Sequence, residues 1–233
     1  MYRAYNRYFG EYLDVVASYE DMGRTRLVYE DLLTPFSKTL KERIKKNYQN
    51  TIAVVGPTGT GKSTVAIQMC MLMDSNWDLS TGYIYGTADF KRALQLKKKH
   101  QIYLMDEASV CMNSANSQRR DDKDLVVIFD TFRSFSNTSF LCSPSLYNIN
   151  KRIRENHLDY LLVCPAAAPI AGYSRRGFVK LYKHIGRDFG KPYFKLLGTS
   201  LFHKLPKKVD AEYQRIKEEH QWQIIDNFIK EDD

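Results

Sequence analysis

The densest chemistry in the chain lies in Gly56-Pro57-Thr58-Gly59-Thr60-Gly61-Lys62-Ser63, which fits the Walker A pattern G-x-x-x-x-G-K-[ST] at every defined position. The apolar run Thr51-Ile52-Ala53-Val54-Val55 precedes it and Thr64-Val65-Ala66-Ile67-Gln68-Met69 follows. This is the strand, loop and helix order that a phosphate loop requires. Glycines at 56, 59 and 61 allow the dihedrals and close approach by which successive backbone N–H groups curl around phosphates. Unpaired amides and the positive dipole end at the start of the next helix suit the same anion. Gly56 through Thr64 are therefore the expected nucleotide cradle. Lys62 is expected to reach the β- and γ-phosphates, and Ser63 to offer its hydroxyl to Mg²⁺.

About 45 residues later, Gln101-Ile102-Tyr103-Leu104-Met105 closes on Asp106-Glu107. An apolar strand ending in Asp-Glu is the Walker B pattern. In a parallel sheet its C-terminal end gathers with the phosphate loop at one crevice. Asp106 is expected to hold Mg²⁺, directly or through water, and Glu107 to act as general base on the attacking water. The second carboxylate leans toward hydrolysis rather than transfer to an acceptor hydroxyl.

Around these residues the pattern predicts an α/β fold: a mostly parallel P-loop NTPase sheet of the RecA/ASCE-like kind, flanked by helices. An antiparallel strand extension and helical N- and C-terminal segments are added to it. Three regions are expected: an N-terminal helical segment (1–50), the ATPase core (51–200) and a C-terminal amphipathic helix (201–233). Tyr2, Tyr5, Phe9 and Tyr12 recur at helical spacing. That stripe is expected to pack on the core or on a neighbouring subunit, with stacking on bases, aided by Arg3 and Arg7, as its other use. Phe36 to Ile44 reads as a second helix. Within the core, strands are expected at Tyr83–Gly86, Gln101–Met105, Thr138–Pro144 and Leu158–Cys164, and helices over Ala88–Lys99 and Leu125–Phe135. Gly177–Ile185 and Pro192–Leu197 read as an antiparallel pair at the sheet edge. Arg175-Arg176 close an irregular segment that is either a DNA-contacting loop or plain surface. Val209, Tyr213, Ile216 and His220 share one face of the tail helix, with His220 read as a packing residue.

Composition limits the alternatives. With 43% hydrophobic and 27% charged residues over 233 positions, the chain has enough apolar material for one α/β domain with appendages. No run approaches the ~20 apolar residues of a spanning helix, and the N-terminus lacks a signal-peptide core, so a cytoplasmic protein is expected. Cys70, Cys111, Cys142 and Cys164 are widely spaced, and three of them sit in apolar segments, which points to buried thiols rather than zinc or disulfides. A net charge of +8 fits a polyanionic partner and, equally, a generically basic surface.

The combination resembles the FtsK–HerA superfamily of P-loop ATPases, nearest its short Zot-like and archaeal virus and plasmid members, which include genome-packaging enzymes. The resemblance is carried by Gly56 to Ser63, Met105-Asp106-Glu107-Ala108, Asp130-Thr131-Phe132-Arg133, Phe140 to Pro144 and Asn150-Lys151-Arg152-Ile153-Arg154. It implies an ATP- and Mg²⁺-dependent ring, usually a hexamer, that pumps double-stranded DNA without regard to sequence. A portal, capsid or membrane protein is the implied docking partner. Arg133 matches the family's finger arginine, which acts across a subunit interface; a salt bridge at a helix end is its other reading, and Arg152 and Arg154 are rivals for the role. Ser143 stands where many relatives have a sensor Gln, and Asn150 where they often have Asp. Two other functions remain open: a AAA+-like replication initiator or loader, against which the antiparallel strands argue, and a nucleotide-dependent assembly switch with little turnover, against which Glu107 argues.

Overall fold

A computed structural model describes residues 2–95, 98–108, 129, 135–166, 177–186 and 193–231. The phosphate-loop strand β4 (Asn50–Val55) is buried at every residue, as a strand covered on both faces must be. Its parallel neighbours are β7 (Thr138–Ser143) on one side and β8 (Tyr160–Val163) on the other. Beyond β7 lie β6 (Ile102–Met105) and the short β5 (Tyr83–Ile84), also parallel. The strand that leads into Asp106 is thus separated from the phosphate-loop strand by one inserted strand. This is the expected α/β P-loop NTPase sheet, mostly parallel, with an antiparallel extension.

Helices cover both faces. α1 (Leu33–Lys45) and α2 (Lys62–Met73) bury Leu33, Phe36, Leu40, Val65, Ala66, Met69 and Cys70 against Ile52, Val54, Phe140 and Leu162. On the opposite face, Phe90 of α4 (Thr87–Gln95) and Ile153 of α5 (Lys151–Asn156) share a second cluster with Phe129, Ala53, Met105 and Leu141. A single turn, α3 (Leu79–Gly82), leads into β5 and is capped by Asp78, whose carboxylate accepts from the Thr81 N–H. The expected helix over Leu125–Phe135 lies outside the described residues except at its buried Phe129 and at Phe135. So do Ser109 to Asp124, Arg175-Arg176 and most of the loop joining the last two strands.

A salt-bridged junction fixes α1 to the sheet. Arg43 Nη2 meets Asp159 Oδ1 at 2.6 Å, while Arg43 Nε donates to Asn50 Oδ1 at 2.7 Å. The other Asp159 oxygen accepts the Thr51 N–H at 3.0 Å.

The N-terminus differs from the sequence expectation. Residues 2–29 form strands, not a helix: β1 (Tyr2–Asn6), β2 (Glu11–Asp21) and β3 (Arg24–Tyr29). The helical spacing of Tyr2, Tyr5, Phe9 and Tyr12 is incidental, because a turn after Asn6 interrupts it; Gly10 closes that turn at φ +71°. Tyr5 and Tyr12 then face each other across the antiparallel ladder with ring centroids 5.3 Å apart. Aromatic residues favour such cross-strand pairs. The antiparallel pair β9 (Phe178–Ile185) and β10 (Tyr193–Leu201) exists as expected, yet it is not the sheet edge. β3 adds to β10 in parallel, and the sheet order becomes β1-β2-β3-β10-β9-β8-β4-β7-β6-β5. The tail forms α6 (Lys207–Glu231), with Val209, Tyr213 and Ile216 turned to the core. None of the described helices is long and apolar enough to cross a membrane.

Candidate nucleotide site

The loop after β4 has little steric freedom at its first glycine. Gly56 has φ +153°, and a Cβ there would sit 2.2 Å from the Cys164 carbonyl oxygen. Only glycine lets β4 leave the sheet this close to β8. Three donors then converge on the Pro57 carbonyl: the Thr60 hydroxyl at 2.8 Å, the Lys62 ammonium at 3.0 Å and the Thr60 N–H at 3.4 Å. Gly61 enters α2 in the left-handed region at φ +89°. It supplies no side chain to cap the helix, so the first amides are left to an outside acceptor. The first turn also carries no acidic residue, leaving the positive end of the dipole uncompensated from within.

Asp106 lies directly across from this helix start. Its Oδ1 accepts the Ser63 hydroxyl at 2.7 Å, joining the two motifs expected to share a site. Asp106 is only 2% exposed. A buried carboxylate needs partners on both oxygens, and Oδ2 accepts two phenols, Tyr213 at 2.7 Å and Tyr83 at 3.3 Å. Burial, with the Asp106 charge second, pushes both phenols well above their ordinary pKa, so they remain neutral donors. Glu107 follows at φ +57°, a left-handed conformation that costs a non-glycine residue about 1–2 kcal/mol. Backbone strain of this kind collects at functional sites.

These groups fit a magnesium–nucleotide complex. The open first turn of α2 suits phosphate, and the hydroxyl–carboxylate pair offers the hard oxygen donors that magnesium takes. Among the described residues, no cluster of three or more His, Cys, Asp or Glu side chains could hold a metal alone. A cation here would therefore rely on phosphate oxygens together with Ser63 and Asp106.

The remaining expected site residues separate. Ser143 ends β7 opposite Val55, at the phosphate-loop end of the sheet, and donates its hydroxyl to the Ser145 carbonyl at 2.9 Å. Asn150 caps α5, accepting the Arg152 N–H at 2.9 Å. Arg154 lies over the Tyr147 ring at 5.0 Å, while Arg152 is exposed. Arg133 lies outside the described residues. Cys70, Cys142 and Cys164 are buried, which raises all three thiols, Cys164 to about 12, and keeps them unreactive near neutrality. Sequence reasoning missed the roles of Tyr83 and Tyr213. Tyr213 stands 107 residues from Asp106 on an apolar helix stripe, so only packing was legible there.

A stretch of 46 residues is 39% identical to the ATP-dependent kinase YFH7 of Vanderwaltozyma polyspora; the match covers 20% of this chain and only 13% of that protein. Among solved structures, the genome packaging NTPase B204 from Sulfolobus turreted icosahedral virus 2 superposes at a TM-score of 0.40 with 10% identity, covering 59% of this chain and 93% of that one. The N-terminal domain of zonular occludens toxin from Neisseria meningitidis gives a TM-score of 0.37 with 14% identity, over 70% and 97% of the respective chains. The family model described as Novel STAND NTPase 3 matches residues 33–162, from the start of α1 to β8, so it includes the phosphate loop, Asp106 and Glu107. That is more than half of the chain, and the chain belongs to the Novel STAND NTPase 3 family.

Proposed function

We propose that this protein is a Mg²⁺-dependent ATPase that translocates double-stranded DNA, packaging or transferring a viral or plasmid genome as a homo-oligomeric ring, most simply a hexamer. The observation that carries the hydrolase part is the 2.7 Å bond from Ser63 to Asp106, with Glu107 held beside it in a left-handed conformation. Lys62 and the Gly56–Thr64 amides bind and orient the phosphates. Ser63 and Asp106 would hold magnesium, which when bound neutralises charge on the phosphate oxygens. Glu107 takes the proton of the water that attacks the γ-phosphorus, leaving ADP and phosphate. In a ring, Arg133 would complete a neighbour's site as the finger, and Ser143 would sense the γ-phosphate. The DNA part is supported by the FtsK–HerA-like motif set and by the charge of +8, which suits salt-sensitive, sequence-independent grip on phosphates. A portal, capsid or membrane protein would then anchor the ring, which would work in the cytoplasm.

One observation favours a second reading, a nucleotide-dependent assembly switch: the bond from Tyr213 to Asp106 ties the metal site to the C-terminal helix. Steady-state ATP hydrolysis with and without linear double-stranded DNA separates the two. The motor predicts strong stimulation by DNA, lost in Glu107→Gln by roughly a hundredfold or more, as for removal of a general base. Turnover indifferent to DNA would sink the motor and favour the switch.

A further inference from the structure

We propose that Tyr213, assisted by Tyr83, is a positioning residue for the metal-binding carboxylate, so that docking of the C-terminal helix and binding of magnesium–nucleotide are coupled. The inference rests on the nucleotide-site reading and goes beyond the family-matched residues, because α6 starts 45 residues after the match ends at 162.

The terminal torsion of an aspartate is soft, so hydrogen bonds decide where its oxygens point. Here the division is asymmetric. Among the described residues, Oδ2 accepts both phenols, while Oδ1 accepts Ser63. A carboxylate oxygen offers two lone pairs. Tyr213 and Tyr83 therefore saturate Oδ2, and Oδ1 is turned toward Ser63. Without Tyr213, Oδ2 loses the shorter of its two phenol bonds, and the carboxylate can rotate away from the loop.

Tyr213 is itself held. Its ring meets Tyr83 edge to face at 6.2 Å, and the Lys217 ammonium donates to its hydroxyl at 3.3 Å. Two turns further on, His220 stacks on Tyr85 with centroids 4.5 Å apart and planes at 8°. Below, the Gln68 amide on α2 donates to the His203 carbonyl, which ties the lead-in of α6 to the phosphate-loop helix. The tail helix is thus fastened to both sides of the metal site. Because coupling of two binding events is reciprocal, metal–nucleotide that needs the oriented carboxylate must in turn stabilise the docked helix.

The test measures binding of a non-hydrolysable ATP analogue to the full chain by calorimetry, once with Mg²⁺ and once with EDTA. Tyr213→Phe should weaken binding in Mg²⁺ by about tenfold, the worth of one hydrogen bond to a charged group, and leave the EDTA value within about twofold. Tyr83→Phe, which loses the longer bond, should show the same pattern at smaller size. Hydrogen exchange across residues 207–222 should slow when Mg²⁺–analogue binds to the wild type, and not in Tyr213→Phe. Equal weakening in Mg²⁺ and EDTA would overturn the proposal, since it marks general damage to the site. Undiminished binding by Tyr213→Phe in Mg²⁺ would overturn it as well. A wild type that binds no nucleotide in either condition would overturn the nucleotide-site reading and this proposal together.

Discussion

At the scale of single residues, the chemistry of the phosphate loop is local. Backbone amides, glycines and a lysine must sit within one turn, so spacing alone identifies them. The partners of Asp106 were not legible, since Tyr83 and Tyr213 reach it through the fold. Gly56 and Gly59 look equivalent in the sequence, yet the structure separates them. A Cβ at Gly56 would meet the Cys164 carbonyl at 2.2 Å, whereas at Gly59 it would meet nothing within 4 Å among the described residues. Both lie at positive φ, +153° and +77°. Gly56→Ala should therefore cost about 3 kcal/mol of folding stability, adding overpacking to backbone strain. Gly59→Ala should cost about 1 kcal/mol, from strain alone. Urea unfolding of the two variants side by side checks this; equal losses would mean the loop relaxes around the added methyl at Gly56.

At the scale of elements, the core strands and most helices followed from apolar runs and their breaks. What the runs could not show is how α1 is locked in place. Arg43 joins α1 to β4 and to the residue before β8 through Asn50 and Asp159. Burial raises the Asp159 carboxyl above its ordinary pKa, and the Arg43 charge works in the opposite direction. A raised folded pKa means the fold prefers the protonated acid. The stability this group contributes is complete below its unfolded pKa and is lost as pH rises through the folded one. Arg43 limits that loss by stabilising the ionised form. Arg43→Ala should consequently be pH-dependent. Near pH 7 it leaves a half-buried carboxylate without its cation and should cost about 2 kcal/mol, the range for a hydrogen bond to a charged group. Near pH 4 the raised Asp159 carboxyl is more protonated than at pH 7, and the cost should be smaller. Denaturation curves at the two pH values measure the difference; a cost independent of pH would assign the role of Arg43 to packing.

At the scale of the whole molecule, the family-matched span of residues 33–162 holds the phosphate loop, Asp106 and Glu107, and the flanking chain completes the sheet around it. The N-terminal strands were illegible because tyrosine spacing on two strands joined by a turn imitates a helix face. Their attachment is extensive. Val15 and Tyr29 are buried in the same cluster as α1 and α2, and Val28 between them in sequence is fully buried as well. The Tyr8 and Tyr160 hydroxyls bond at 2.8 Å, and Asn6 Nδ2 donates to the Leu197 carbonyl at 3.2 Å. Fully burying one such apolar side chain is worth about 1.5–3 kcal/mol, so three together approach the ~5–15 kcal/mol by which whole domains are stable. Deleting residues 1–30 should therefore do more than trim an appendage. It removes the strand paired to Thr199 and Ser200, leaving β10 as an open edge of the kind that recruits other chains. The truncated protein should melt well below the full chain and scatter light at concentrations where the full chain stays clear. An unchanged melting temperature with no aggregation would show that β1–β3 fold separately from the nucleotide core. The apolar continuity from Val15 through Phe36 to Ile52 argues for one cooperative unit, in which the edge strands help keep α1, and with it the phosphate-loop strand, in register.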